Sequence, residues 1–193
     1  MNLTEHEREF AYGWASVSIF PAPILHEEFV GARPGKLLAM RFLVVAVGHR
    51  LPAWVAAGFA EYAGRMPREA RVDLVALKPA PRGAGAKRAV ETEGERILSA
   101  LPADCVKVVL DERGTLMRTA ELARRIERWR QGGRDVAFVI GGADGLAESV
   151  KQRADLTWSL SPLTLPHGLA RVVLAEQLYR AVSMLHNHPY HRE

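Results

Sequence analysis

The chain has 193 residues, 48% hydrophobic and 25% charged, with one cysteine and a formal charge of +4. Such a length holds one domain with a real core plus a short appendage, and these fractions exclude global disorder. No apolar run approaches the roughly 18 residues of a membrane span, and the lone Cys105 excludes a disulfide framework or multi-cysteine zinc site; a soluble protein of a reducing, cytoplasmic compartment is expected.

Residues 1–39 hold five acids and three bases, a charge of −2, which leaves +6 on the remaining 154 residues. This first segment is acidic, aperiodic and rich in Pro and Gly, and lacks the basic start and apolar centre of a secretory signal. It reads as an extension, dispensable or poorly ordered. The pattern changes at Met40, the expected start of the folded domain (40–193) and a candidate translation start. The excess of bases suits RNA phosphates, and equally an ordinary solvated surface.

Residues 40–47 (MRFLVVAV) read as a first strand closed by Gly48, and Pro52 then opens a helix whose apolar positions are Val55, Phe59 and Tyr62. Residues 71–77 give a second strand, and the acid-free stretch 78–88 a mobile basic loop with Arg82, Lys87 and Arg88 as candidate RNA contacts. A helix follows on Val90, Ile97, Leu98 and Leu101, with Gly94 on its inner face. The third strand covers Val106–Leu110, and the next helix, on Leu122, Ile126 and Trp129, is stopped by Gly132 and Gly133. Residues 135–140 are nearly all apolar, as in a strand buried on both faces. A short helix near 146–154, a strand at Leu156–Leu160 and a long helix from about 168 to 186 complete the pattern.

Alternating strands and helices predict an α/β domain with a mostly parallel sheet and helices on both faces. In such sheets ligands bind beyond the carboxyl ends of strands, which nominates the loops after Leu110, Ile140 and Leu160. The second of these, Gly141-Gly142-Ala143-Asp144-Gly145, has neither the dinucleotide nor the phosphate-loop spacing. Its glycines serve either close ligand approach or a tight turn, and close approach at Gly141 would suit a positive φ. The third, Ser161–His167, carries two prolines among apolar residues; it is a rigid ring-binding loop or a buried connector. His186, His188 and His191 raise the question of a metal, but Pro189 breaks their helical spacing and no cysteine assists, so no metal is expected. A folded-back tail would instead offer His191 as a base, Tyr190 as a hydroxyl and Arg192 as an anion clamp.

Three runs carry a resemblance: Ser159–His167 (SLSPLTLPH), Arg171–Ala181 (RVVLAEQLYRA) and Asn187–Glu193 (NHPYHRE). With Gly132–Val136, Phe138–Gly142 and Val45–Gly48, the chain from Met40 to Glu193 resembles the large-subunit rRNA pseudouridine-N3 methyltransferases of the SPOUT, or α/β-knot, superfamily. The resemblance implies methyl transfer from S-adenosyl-L-methionine to N3 of a pseudouridine in helix 69 of 23S rRNA on assembled ribosomes. It also implies a homodimer and a C-terminal trefoil knot. The family's cofactor positions fall on Leu110, Gly141, Leu160, Ser161, Pro162, Leu163, Thr164 and Leu165. Pro162 departs from the family pattern and, lacking an N–H, could serve a cofactor only through its carbonyl or by packing. The catalytic candidates are Tyr190, His191 and Arg192. Two rival readings are a non-catalytic RNA-binding module using 78–88 and the Arg124, Arg125, Arg128, Arg130 run, and an α/β enzyme on another nucleotide. Cofactor titration separates all three.

Overall fold

A computed structural model describes residues 39–186, within the unit Lys36–Glu193. The expectations for the N-terminal extension and for Tyr190, His191 and Arg192 lie outside the described residues.

Five strands form one parallel sheet in the order β2-β1-β4-β3-β5: β1 Phe42–Val47, β2 Val72–Leu77, β3 Val106–Leu116, β4 Val136–Ile140 and β5 Leu156–Ser159. The helices are α1 Ala53–Gly64, α2 Ala86–Ala100, α3 Thr119–Gln131, α4 Glu148–Lys151 and α5 His167–Leu185. β4 sits at the centre with every residue buried, as its unbroken apolar run requires.

Strand side chains alternate between two cores. Phe42, Val44, Val108 and Phe138 face Leu122 and Ile126 of α3 and Leu174 and Leu178 of α5. Val45, Val109 and Val139 point the other way, onto Ile97 of α2 and Val150 of α4. Gly94 earns its inner position: a Cβ there would lie 2.6 Å from that of Ala147, so its bareness brings α2 down beside α4.

Three elements differ from expectation. The stretch 78–88 is not one loop: a 3₁₀ turn occupies Arg82–Ala84 and α2 begins at Ala86, which puts Lys87 and Arg88 in its first turn. Gly85, at φ 92°, makes that sharp entry possible. β3 runs six residues past Leu110, because Gly114 lets the backbone lie against that of Trp158, where a Cβ would come within 2.6 Å. The ladder to β5 then resumes after a register shift, pairing Thr115 with Trp158 and Leu116 with Ser159. α4 is a single turn, shorter than the expected 146–154.

Candidate functional site

The far half of β3 and the loops leaving β4 and β5, three adjacent strands, enclose a cleft of about 730 Å³. Leu110, Gly141, Leu160, Ser161, Leu163, Thr164 and Leu165 all line it, as the sheet rule anticipates. Pro162 does not. It is exposed between Ser161, whose Oγ accepts the Leu163 N–H at 3.0 Å, and Leu163 itself. The Ser159 hydroxyl donates to the Ser161 carbonyl at 2.8 Å. Pro162 thus holds φ at the centre of a serine-closed turn and shapes the wall without forming part of it.

The glycine loop folds on itself: Gly142 and Gly145 form an isolated antiparallel bridge, the Gly145 N–H donating to the Gly142 carbonyl at 3.2 Å. The expected positive φ belongs to Gly145 (87°), not Gly141. Gly141 is constrained by closeness instead, since a Cβ there would meet the Gly145 carbonyl oxygen at 2.6 Å and Leu146 at 2.8 Å. A Cβ on Gly142 would lie 2.7 Å from the Glu93 carboxylate, which is buried and accepts the Ala80 N–H at 2.9 Å. These glycines therefore satisfy contacts within the protein that bare the loop backbone toward the cleft.

The β3 wall is acidic. Asp111 pairs with Lys151 at 2.5 Å and accepts the Arg113 N–H at 2.9 Å. The Lys151 hydrogen bond, opposed in part by burial, holds its carboxyl below the usual carboxylate range. Glu112 accepts the Thr164 hydroxyl at 3.1 Å, tying the β3 wall to the β5 loop.

His167, the first residue of α5, also lines the cleft, with Arg171 one turn on. Arg171 is fully buried; its Nη2 donates to the carbonyls of Val47 at 2.6 Å and Gly48 at 2.9 Å. Its Nε and Nη1 have no partner among the described residues. Burial, then the Arg171 charge, pushes the His167 pKa below its ordinary value and favours the neutral imidazole. Gly48, at φ 110°, admits this arrangement, since a Cβ there would lie 3.2 Å from the Arg171 Nη2.

Arg82 reaches the same rim by an ion pair with Asp144 at 3.1 Å, while Lys87 and Arg88 stay exposed on α2. Sequence reasoning misses Asp111, Glu112, Lys151, His167 and Arg171. Asp111 and Glu112 lie inside β3, Lys151 closes α4 and Arg171 stands a turn into α5; only His167, first in its helix and last in the proline loop, carries a positional signal. Arg171 sits inside an apolar helical stripe, where a buried cation carries no periodic mark of its role.

The family model "Predicted SPOUT methyltransferase" matches residues 40–191. Curated relatives that carry the name Ribosomal RNA large subunit methyltransferase H are similar to the chain over most of its length. That of Thioalkalivibrio sulfidiphilus is 54% identical over 156 residues, 80% of this chain and 100% of the relative. That of Nitrosospira multiformis is 55% identical over 155 residues, 79% and 99% of the two chains.

Proposed function

Because the chain belongs to the SPOUT methyltransferase family, we propose that it methylates large-subunit ribosomal RNA, taking the methyl group from S-adenosyl-L-methionine bound in the cleft. The observation that carries this reading is the convergence of the Leu110, Gly141 and Leu160–Leu165 segments on one cleft. Its residues fit the cofactor: the volume is that of a small-molecule site, Leu160, Leu163 and Leu165 offer apolar contact, the folded glycine loop bares backbone groups, and Glu112, which has no ion pair among the described residues, supplies negative charge for a cationic sulfonium. When bound, the cofactor supplies an already activated methyl group.

The chain must then orient the acceptor and remove its proton. On the resemblance set out above, the acceptor is N3 of a pseudouridine in helix 69 of 23S rRNA on assembled ribosomes. Our assignment gives His191 the N3 proton, Tyr190 the alignment of the ring and Arg192 the charge that develops on the uracil carbonyl oxygen. Orientation lowers the barrier by several kcal/mol and a general base adds about 10²–10⁴-fold. A cytoplasmic homodimer with a C-terminal trefoil knot belongs to the same reading.

The test is calorimetric titration with S-adenosylmethionine, followed by methyl transfer to ribosomes with and without the pseudouridine. Specific binding and pseudouridine-dependent transfer are expected; equal competition by other nucleotides would sink the reading. His191→Ala should slow single-turnover transfer and regain rate as pH rises. An unchanged pH profile removes His191 from the proton path.

A further inference from the structure

We propose that the outward face of α3, bearing Arg124, Arg125 and Arg128, grips RNA phosphates beside the cleft and carries more of the electrostatic contact than the 82–88 segment. The proposal rests on the rRNA reading above for its ligand. Its own support is the state of the charges.

The acids of α3 are already engaged. Glu121 accepts the Arg118 backbone N–H at 2.8 Å, and Glu127 binds Arg130 and accepts from Gln131 at 3.1 Å. Among the described residues, Arg124, Arg125 and Arg128 have no ion pair. They are not scattered. Leu122, Ala123 and Ile126 bury the inner stripe, which turns Arg124 and Arg128, four residues apart, to the opposite side with Arg125 at its edge. Like charges at that spacing repel, and phosphates relieve the repulsion. Guanidinium suits the task, since its planar fork takes two phosphate oxygens at once.

The 82–88 segment is weaker in this respect. Arg82 is neutralised by Asp144. Lys87 and Arg88, in the first turn of α2, likewise have no ion pair among the described residues, which leaves two unpaired bases there against three on α3.

Place matters as much as charge. Asp111, Glu112 and Arg113 line the cleft, and the chain leaves it along the end of β3 to reach Arg118, the residue before α3. Arg113 and Arg118 are exposed and likewise without an ion pair among the described residues. From Arg118 to Arg128 the helix extends about 15 Å, so a strand whose base enters the cleft would run along this face. Trp129 is turned inward against Phe138, leaving no aromatic to stack a base. The contact is therefore to backbone phosphates and independent of sequence.

The test compares R124A/R125A/R128A with R82A/K87A/R88A in the full chain, measuring ribosome association across a potassium chloride series. Removing three phosphate contacts from a single strand should lower the slope of log K against log salt by about 2. The α3 variant should show that drop, with at least tenfold weaker association at low salt and unchanged S-adenosylmethionine affinity; the 82–88 variant should show a smaller one. A parallel R124Q/R125Q/R128Q variant guards against an effect of alanine on the helix. An unchanged slope in both α3 variants overturns the proposal, as does weaker association at constant slope, the mark of a protein contact. Association is read apart from methyl transfer. A wild-type chain that transfers no methyl group overturns the parent reading, while the slopes still judge the surface.

Discussion

Every residue of β4 from Val136 to Ile140 is buried, yet Asp144, four positions on, is exposed at the rim of the cleft. The strand bodies and the loops leaving them are adjacent in sequence but obey different constraints. A body residue is fixed by its face: Phe138 must fill space among Phe42, Trp129 and Trp158. A loop residue is fixed by its immediate neighbours, as Gly141 is by the Gly145 carbonyl or Leu163 by the Ser161 hydroxyl. Stability should therefore reside in the bodies and ligand binding in the loops.

The sharpest test of that division pairs a body variant with a loop variant. Phe138→Ala should cost about 3–5 kcal/mol, or roughly 10 °C of melting temperature, through lost burial and a cavity. The fraction that remains folded should bind S-adenosylmethionine normally. Gly141→Val should do the reverse: the branched side chain must displace Gly145 and Leu146, and cofactor affinity should fall at least tenfold with a smaller shift in melting temperature. Calorimetry and thermal unfolding on both proteins decide the matter. The division fails if Phe138→Ala abolishes binding by its folded fraction, or if Gly141→Val binds normally.

The same division explains what was legible in the sequence. All five strands were readable, because burial on one or both faces leaves a period of two or an unbroken apolar run. The cleft was readable as a place at all three positions, since a parallel sheet presents its carboxyl ends to ligand, although after Leu110 the expected loop is strand. The internal structure of the loops was not readable. Nothing in Gly141–Gly145 marks which glycine takes positive φ, and nothing in Ser161-Pro162-Leu163 separates a proline that touches a ligand from one that props a turn. The extension of β3 past Leu110 was hidden for a related reason: residues 111–115 are polar or glycine and Leu116 is exposed, and they stay in the strand because Gly114 fits against the Trp158 backbone. The glycine loop needed the fold to show that its neighbours Glu93 and Arg82 come from α2 and the turn before it.

Acid unfolding gives a subtler comparison, because the cleft contains two groups that titrate in separate windows. His167 is held below its ordinary value of 6.5, so the folded state resists protonation; its contribution is present above pH 6.5 and is lost as pH falls through the folded value. Asp111 is held below 3.8, and its contribution is lost only in more acid solution, as pH falls through its own lowered value. Melting temperature followed against pH should therefore decline in two stages. His167→Asn should flatten the upper stage and Asp111→Asn the lower. A wild-type profile in His167→Asn would show that Arg171 and burial do not act on the imidazole as the geometry requires.

The smallest effect expected is that of removing residues 1–39. The family match begins at residue 40, the strands start at Phe42, and the residues lining the cleft fall between Leu110 and His167. The strands and the cleft lining lie wholly within the matched residues, so melting temperature and methyl transfer are expected to stay nearly unchanged. Charge is the exception. The segment carries −2, and its loss raises the formal total from +4 to +6. Ribosome association should tighten slightly at low salt, where the screening length is long, and match the full chain at about 0.15 M, where it is near 8 Å. A truncated protein that melts several degrees lower or transfers methyl groups more slowly would show that the segment supports the domain, and the two-region account would need a third member.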